Sequence, residues 1–174
     1  FGQEWAKDFF GADARKYVYS HVAGAMKFIP YGTAVDHFQH EIYAHPEYTP
    51  RQRHDVWKKL CQLYMPWYRL DGQIPFYSDG EHWQLKHHIY SSPFYYIDYC
   101  LAQTISLEFW AMIQEDIHKA WDKYMEYTSL GGSDTWTNML KTSHLSSPFE
   151  GDTLKEICEK VQEYLDNYDL TDIA

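Results

Sequence analysis

The chain has 174 residues, of which 45% are hydrophobic and 18% aromatic, which is the size and apolar content of one globular domain with a substantial core. Its 15 Lys and Arg against 25 Asp and Glu give a formal charge of −10, which repels phosphate backbones and anionic lipid and argues against nucleic acid or a membrane as partner. The three cysteines are widely separated without Cys-x-x-Cys spacing, which argues against a disulfide framework or a thiolate zinc site and favours a reducing cytosol.

The N-terminal sequence gives no targeting signal. It lacks the basic and apolar regions of a signal peptide, and no stretch approaches 18 uncharged apolar residues. The chain begins at Phe1 without an initiator Met and soon becomes amphipathic, which favours a piece of a longer protein. We therefore expect a soluble, cytoplasmic fragment.

Two helices are predicted in the first 46 residues. Asp13 can cap a helix that ends near Pro30, because proline removes a donor and disfavours helix before it. Helical periodicity resumes at Tyr31 and stops before Pro46, with an apolar stripe of Ala34, Val35, Phe38, Ile42 and Tyr43 and with Asp36, Gln39 and Glu41 on other faces. The pattern predicts a kinked helical pair.

The next segment begins with a clear helix start. Thr49 and Pro50 are an N-cap and a first helical residue, and the helix is predicted to continue to Pro66. Residues 66–80 contain two Pro and two Gly without a steady period, which predicts an irregular loop. A further helix is expected from Glu81 to Ile89.

The remaining sequence is helical throughout. A helical segment is predicted from Pro93 to about Tyr127, with no Gly or Pro after its first residue. Its first twenty residues are apolar on nearly every face and must be buried. Gly131 and Gly132 supply the stop at its C-terminal end. Two shorter helices are predicted, from Asp134 to about Leu145 and from Thr153 to about Tyr168, the second capped by Asp152 or Thr153. With no strand pattern and no repeat, the prediction is one all-α domain over residues 1–174.

The densest group of functional side chains flanks a Ser-Ser-Pro turn and comprises His87, His88, Tyr90, Tyr95, Tyr96, Asp98 and Tyr99. Tyr99 lies three and four residues after Tyr96 and Tyr95, so either pair can share a helical face. Phenol and imidazole donors could stabilise an oxyanion formed by attack on a peptide carbonyl. Spacing alone favours the other interpretation, which is that these tyrosines are ordinary core residues.

Three segments resemble oligoendopeptidase F, within the wider thimet oligopeptidase family of zinc peptidases: FIPYGTAVDHFQHEIY at 28–43, HIYSSPFYYIDYCLAQ at 88–103 and SPFEGDTLKE at 147–156. The resemblance implies a mostly helical fold in which His and Tyr contact substrate and oxyanion. Carried over by motif, it implies His88 and Tyr96 or Tyr99 as transition-state donors, with Tyr90 and Tyr95 as substrate contacts.

The metal site of that family is missing from this sequence. Those enzymes bind zinc through two His of an HExxH helix and a downstream Glu, and no HExxH occurs in the chain. His37 and His40 with Glu41 could supply two ligands, but polar surface is the better interpretation. We expect zinc only in the full-length enzyme and none in this chain. His82 and His87 are expected at the surface, and Asp98 in a buried salt bridge.

The leading hypothesis is the C-terminal part of a cytosolic zinc endopeptidase for short peptides, inactive by itself for lack of zinc ligands. Its expected partners are the missing N-terminal, metal-bearing part of the same enzyme and short peptide substrates. An apolar surface left uncovered by the missing part would favour self-association. The alternatives are a non-catalytic helical module that binds peptides or proteins, and a plain structural domain.

Overall fold

The computed structural model describes residues 1–171, and all regular structure in that range is helical, which confirms the all-α class. Three short 3₁₀ turns cover Gly2–Trp5, Gly11–Asp13 and His82–Leu85. The helices are α1 (Ala6–Phe10), α2 (Ala14–Ala44), α3 (Pro50–Tyr64), α4 (His88–Ser91), α5 (Ile97–Glu115), α6 (Ile117–Ser129), α7 (Trp136–Thr142) and α8 (Thr153–Asp166). Within residues 1–171, no helix is both long and apolar enough to cross a membrane.

The chain divides into two compact units, one of Lys27–Leu101 and the other of Phe1–Met26 with the described residues from Ala102 onward. Each unit has its own apolar cluster. A single domain over the whole chain stays a prediction.

The core of the Lys27–Leu101 unit is built where α2 packs against α3. The ring of Phe38 meets that of Trp57 edge-on at 5.3 Å and that of Trp83 at 4.9 Å, measured between centroids. The buried members of this core are Ala34, Val35, Phe38, Ile42, Trp57, Leu60, Cys61, Met65, Trp83, Ile89 and Tyr96. The predicted stripe of α2 is therefore the face that the helix buries, with the exception of Tyr43, which is 42% exposed.

The second unit buries most of residues 104–111 of α5. The predicted burial of the first twenty residues from Pro93 is wrong for the start of that range, because Phe94, Tyr95 and Tyr99 are exposed. The core cluster of the second unit contains Ile105, Phe109, Leu140 and Leu145, with Tyr124 and Trp136 among the half-buried residues around it. The carboxylate of Glu108 accepts a hydrogen bond from the Ser146 backbone N–H at 2.9 Å.

Some predicted helix ends are confirmed, and each has a local cause. Thr49 and Gln52 form a reciprocal capping box at the start of α3, with Pro50 as the first helical residue. Residues 66–80 contain no helix, as expected. The pair Gly131 and Gly132 takes positive φ angles of 53° and 76° directly after α6, which is backbone that glycine adopts without strain.

The predicted helix end at Pro30 is wrong. The helix α2 is continuous over 31 residues, and Pro30 lies in its interior. An interior proline costs about 3 kcal/mol through the lost hydrogen bond and the ring clash. Burial after the proline opposes that cost, since Ala34, Val35 and Phe38 are each fully buried.

The helices predicted around the histidine-tyrosine turn are shorter than expected. Lys86 has an extended backbone (ψ 92°), so the segment Glu81–Ile89 is a 3₁₀ turn followed by the start of α4. Phe94 has a positive φ of 61°, which delays the next helix from Pro93 to Ile97. Neither angle follows from local residue preference.

The other corrections concern caps. The helix predicted to run to Tyr127 is interrupted at Asp116, whose side chain accepts hydrogen bonds from the His118 and Lys119 backbone N–H groups and so starts α6. Asp152 precedes α8 but makes no side-chain capping bond. The helix expected from Asp134 is limited to Trp136–Thr142.

His82, expected at the surface, is buried. The Trp57 indole N–H donates to His82 Nε2 at 3.0 Å, and His82 Nδ1 lies 3.0 Å from the Tyr77 carbonyl oxygen. Since an indole only donates and a carbonyl only accepts, the ring is neutral with its proton on Nδ1. Burial lowers the pKa of His82, although the bond to the Tyr77 carbonyl opposes this effect.

Gly32 permits Cys100 to approach the backbone of α2 closely in the Lys27–Leu101 core, and we expect Gly32→Ala to destabilise the protein. A Cβ at this position would lie 2.2 Å from Cys100 Sγ, so the expected loss is about 1–3 kcal/mol of unfolding free energy. Gly24→Ala is the matched control on the same helix, because a Cβ there meets nothing within 4 Å and should stabilise by up to about 1 kcal/mol. Urea unfolding measures both variants.

The double variant Gly32→Ala/Cys100→Ala removes the sulfur that the new methyl group would meet. It should cost less than the sum of the two single changes. Additive losses would contradict a clash at this contact.

Acid should weaken the fold through His82. In the folded state, burial lowers the pKa of His82 below its ordinary value of 6.5. The stabilising contribution of the neutral ring is therefore complete above pH 6.5 and is lost as the pH falls from 6.5 through the folded-state pKa. The free energy of unfolding should therefore drop as the pH falls below 6.5. His82→Gln is the control, because an amide can accept from Trp57 and donate to Tyr77 without titrating. Equal pH slopes for the two proteins would contradict this role.

Candidate functional site

The predicted site residues lie on two helix starts and the turn between them. His88 is the first residue of α4, Tyr95 and Tyr96 immediately precede α5, and Tyr99 is in the first turn of α5. The positive φ of Phe94 reverses the chain between the two helices. As a result, side chains from both helices meet on one side of the turn.

Four of the five predicted residues form one aromatic group, which we name the His88 cluster: His88, Tyr95, Tyr96 and Tyr99. The imidazole stands edge-on to Tyr96 and Tyr99 at 5.2 and 5.5 Å, and parallel to Tyr95 at 6.3 Å. Tyr99 in turn meets Tyr95 and Tyr96 edge-on at 5.5 and 5.3 Å. Such edge contacts fix ring orientations as well as positions.

One hydrogen bond inside the cluster joins His88 Nε2 to the Tyr99 hydroxyl, 3.3 Å apart. The other ring nitrogen, Nδ1, is buried and has no hydrogen-bond partner among residues 1–171. A buried N–H without an acceptor is rarer than a buried lone pair without a donor, so the network assigns the His88 proton to Nε2. Tyr99 then accepts from His88 and keeps its own hydroxyl proton available for another group.

Tyr96 is the buried member of the cluster, with 6% of its surface exposed. Lys86 Nζ donates to its hydroxyl at 3.3 Å and lies 5.0 Å from the centroids of both the Tyr31 and Tyr96 rings. Burial raises the pKa of Tyr96, while the hydrogen bond and charge of Lys86 act in the opposite direction. The cation is thus held by two ring faces and one phenol oxygen.

Tyr90 lies outside the cluster. Its ring stacks on Trp83 with centroids 6.1 Å apart and it is mainly exposed. Partial burial raises the pKa of Tyr90, and the charge of Arg53 opposes that change. The functional roles assigned to all five residues stay predictions.

Sequence reasoning missed two residues next to the cluster, Lys86 and Gln39. Lys86 had no recognisable signal, because its position depends on one extended backbone angle. Gln39 was assigned to a polar face but is fully buried, and its side-chain oxygen accepts the Phe94 backbone N–H at 2.8 Å. Its spacing from Val35 and Ile42, which places all three on one helical face, was the available signal.

The residues of the chain do not fit the zinc that the resemblance implies. No group of three or more His, Cys, Asp or Glu within residues 1–171 could hold a metal ion. His37 bonds to the Tyr64 hydroxyl at 2.9 Å and faces Glu41, while His40 faces Asp36 at 3.4 Å. These contacts occupy both histidines with partners on α2 and α3.

Two smaller expectations were also tested by the structure. His87 is exposed, as expected. The buried salt bridge expected for Asp98 is wrong, because this residue lies in the exposed part of the first turn of α5.

Known structures share this architecture. A protein described as an oligoendopeptidase F is 40% identical with a TM-score of 0.89, over 96% of this chain and 29% of that chain. PZ peptidase A, with an inhibitor, is 38% identical with a TM-score of 0.89, over 96% of this chain and 30% of its own. A protein from Bacillus anthracis strain Ames, also described as an oligoendopeptidase F, is 33% identical with a TM-score of 0.77, over 96% of this chain and 26% of that chain.

The chain therefore corresponds to a helical part of these structures and spans less than a third of their length. Among curated proteins, no match to this chain was found. The sequence profile of peptidase family M3 matches residues 15–159, which is most of the chain. The chain belongs to peptidase family M3.

Proposed function

We propose that this chain is the C-terminal part of a zinc-dependent oligopeptide endopeptidase, the part that contacts substrate and transition state. Membership of peptidase family M3 supports peptide hydrolysis by the whole protein. Members of the family generally use zinc, and neither an HExxH motif nor another metal site occurs in the described residues. The zinc ligands would come from the rest of the enzyme, and this chain alone would be inactive.

The observation that carries the proposal is the bond between His88 Nε2 and the Tyr99 hydroxyl. With His88 as donor, the Tyr99 proton points away from the imidazole and can be donated to a substrate oxygen. Attack on a peptide carbonyl places negative charge on that oxygen, and a preorganised neutral phenol stabilises it. The proposed task of this chain is to hold the oxyanion and the peptide around it.

Exposure favours Tyr99 over Tyr96 as the oxyanion donor. Tyr99 has 40% of its surface exposed, whereas the Tyr96 hydroxyl is already bonded to Lys86 in a buried setting. Tyr95 is half exposed and meets Tyr99 edge-on, so it suits contact with the peptide beside the reacting carbonyl. Tyr90 would contact the peptide farther along, and Tyr96 would act by packing behind Tyr99.

Removing the proposed donor should slow peptide cleavage by the extended protein, meaning this chain continued upstream through its natural reading frame. Tyr99→Phe should lower kcat by about 10²-fold or more, because one oxyanion donor is lost, and His88→Ala should lower it similarly. Tyr77→Phe is the matched control, since its ring lies in the 66–80 loop, where it packs against Phe76 and His82, and within residues 1–171 it makes no ring contact with the His88 cluster. A quenched fluorescent peptide measures the rates.

The same assay on the unextended chain tests whether the zinc ligands lie outside this chain. We expect no cleavage and no bound zinc by elemental analysis. Zinc binding with cleavage by the unextended chain would contradict the proposal. If the extended protein binds peptides without cleaving them, the alternative of a non-catalytic binding module is correct.

We propose further that the N-terminal aromatic residues Trp5, Phe9 and Phe10 pack against the metal-bearing remainder of the enzyme. They are 61%, 79% and 44% exposed, which is unusual for side chains of this size so close together in sequence. In the chain alone, the same residues would favour self-association. A cytosolic location is also proposed, supported by cysteines that are widely separated in the sequence and lack Cys-x-x-Cys spacing.

Self-association of the unextended chain should depend on this aromatic segment. At micromolar concentration we expect dimers or larger species by sedimentation velocity, and Phe9→Asp should shift them to monomer by placing a charge in the contact. Phe149→Asp is the control, because Phe149 is 69% exposed but lies in a different segment. A monomeric wild-type chain would contradict this proposal.

A further inference from the structure

The turn that joins α4 to α5 contains a backbone conformation that must be held from outside. Phe94 has a φ of 61°, a left-handed conformation that costs a non-glycine residue about 1–3 kcal/mol. Such a residue persists only when its surroundings fix it. Hydrogen bonds and ring contacts from α2 reach this turn.

The first contact is a hydrogen bond from the Phe94 backbone N–H to Gln39 Oε1, 2.8 Å long. Gln39 has no exposed surface, and its Nε2 donates to the Val35 carbonyl one helical turn earlier at 3.3 Å. Each end of the amide therefore has a partner of the correct polarity. Reversing the amide would place two donors against each other, so the side chain has one acceptable orientation.

The second contact is made one helical turn later. The Tyr43 hydroxyl donates a hydrogen bond to the Ile89 carbonyl, on the α4 side of the turn. The ring of Phe94 packs against Tyr43 at 5.4 Å and against His40 at 4.7 Å. Gln39 and Tyr43 therefore hold both sides of the turn, one through an N–H and the other through a carbonyl.

We infer that Gln39 and Tyr43 are positioning residues for the His88 cluster, acting through the backbone of Phe94 and Ile89 without touching the substrate. This inference rests on the proposed function for its effect on catalysis. The geometry explains why the cluster needs residues that hold the turn. His88 and Tyr99 lie on opposite sides of the turn, and their 3.3 Å bond exists only while the turn keeps its shape.

The catalytic consequence follows from the sensitivity of oriented donors to small displacements. A shift of about 1 Å in a positioned group can lower a rate about a hundredfold. Relaxing the turn would move Tyr99 relative to His88 without deleting either. The loss would appear in kcat more than in KM, because the bond from Tyr99 to the oxyanion forms only in the transition state.

The experiment compares Gln39→Leu and Tyr43→Phe in the extended protein with Phe38→Leu. Gln39→Leu keeps the approximate side-chain volume but removes the hydrogen-bond acceptor for the Phe94 N–H. Tyr43→Phe removes only a hydroxyl group, and because the Tyr43 side chain is 42% exposed, this change should not impair folding. Phe38→Leu is a destabilising core control on the same helix, since Phe38 packs its ring on Trp57 and Trp83 and makes neither of the two hydrogen bonds to the turn.

We expect kcat to fall about tenfold or more for Gln39→Leu and severalfold for Tyr43→Phe, with KM changed less than twofold. The folded fraction of Phe38→Leu should keep its kcat within about twofold. Unchanged kcat in both Gln39→Leu and Tyr43→Phe would overturn the inference.

Hydrogen exchange separates failure of this inference from failure of the proposed function. Mass spectrometry of peptides covering residues 89–96 should show the Phe94 amide exchanging at least about tenfold faster in Gln39→Leu. Faster exchange with unchanged kcat in Gln39→Leu would mean that Gln39 holds the turn but that the cluster is not catalytic. In that case the cleavage rate of Tyr99→Phe would also be unchanged. Unchanged exchange would mean that Gln39 does not hold the turn at all.

Discussion

The close approach at Gly32 is the constraint on which the arrangement of the site depends. Cys100 and Tyr96 reach the backbone of α2 there, and any side chain at position 32 would occupy the space of the Cys100 sulfur. Tyr96 is consequently drawn into the core, where it packs near Phe28 and Tyr31. With Tyr96 buried, its neighbours Tyr95 and Tyr99 lie on the accessible side together with His88. Burial of one tyrosine thus decides which of the adjacent tyrosines are accessible from solvent.

The core around this contact contains polar groups, and three of them are matched to aromatic or backbone partners. His82 sits between the Trp57 indole and the Tyr77 carbonyl, and Lys86 lies over two tyrosine rings. Gln39 connects α2 to the turn before α5. Buried polar groups with complete partners specify one arrangement more strongly than apolar packing alone, because any shift leaves a donor or acceptor unpaired. This explains how an aromatic-rich sequence can keep a defined polar site.

The sequence predicted the features that depend on local chemistry. The capping box at Thr49, the irregular loop at 66–80 and the stop at Gly131 follow from residue preferences within a few positions. The continuous helix through Pro30, the extended Lys86 and the left-handed Phe94 could not be predicted, because distant packing sets them. For the site, the spacing of Tyr95 and Tyr99 indicated a shared face, but spacing could not show that Tyr90 turns toward Trp83 instead. The burial of His82 and Gln39 likewise results from tertiary contacts.

Every contact described for the His88 cluster and for its support joins residues of the Lys27–Leu101 unit. The cluster, the lysine behind it and the part of α2 that holds its turn are therefore encoded in one uninterrupted stretch of about 75 codons. In evolutionary terms, such a stretch can be inherited or exchanged as a block without separating a donor from the groups that orient it. Selection on the site then acts on a single short interval of the gene.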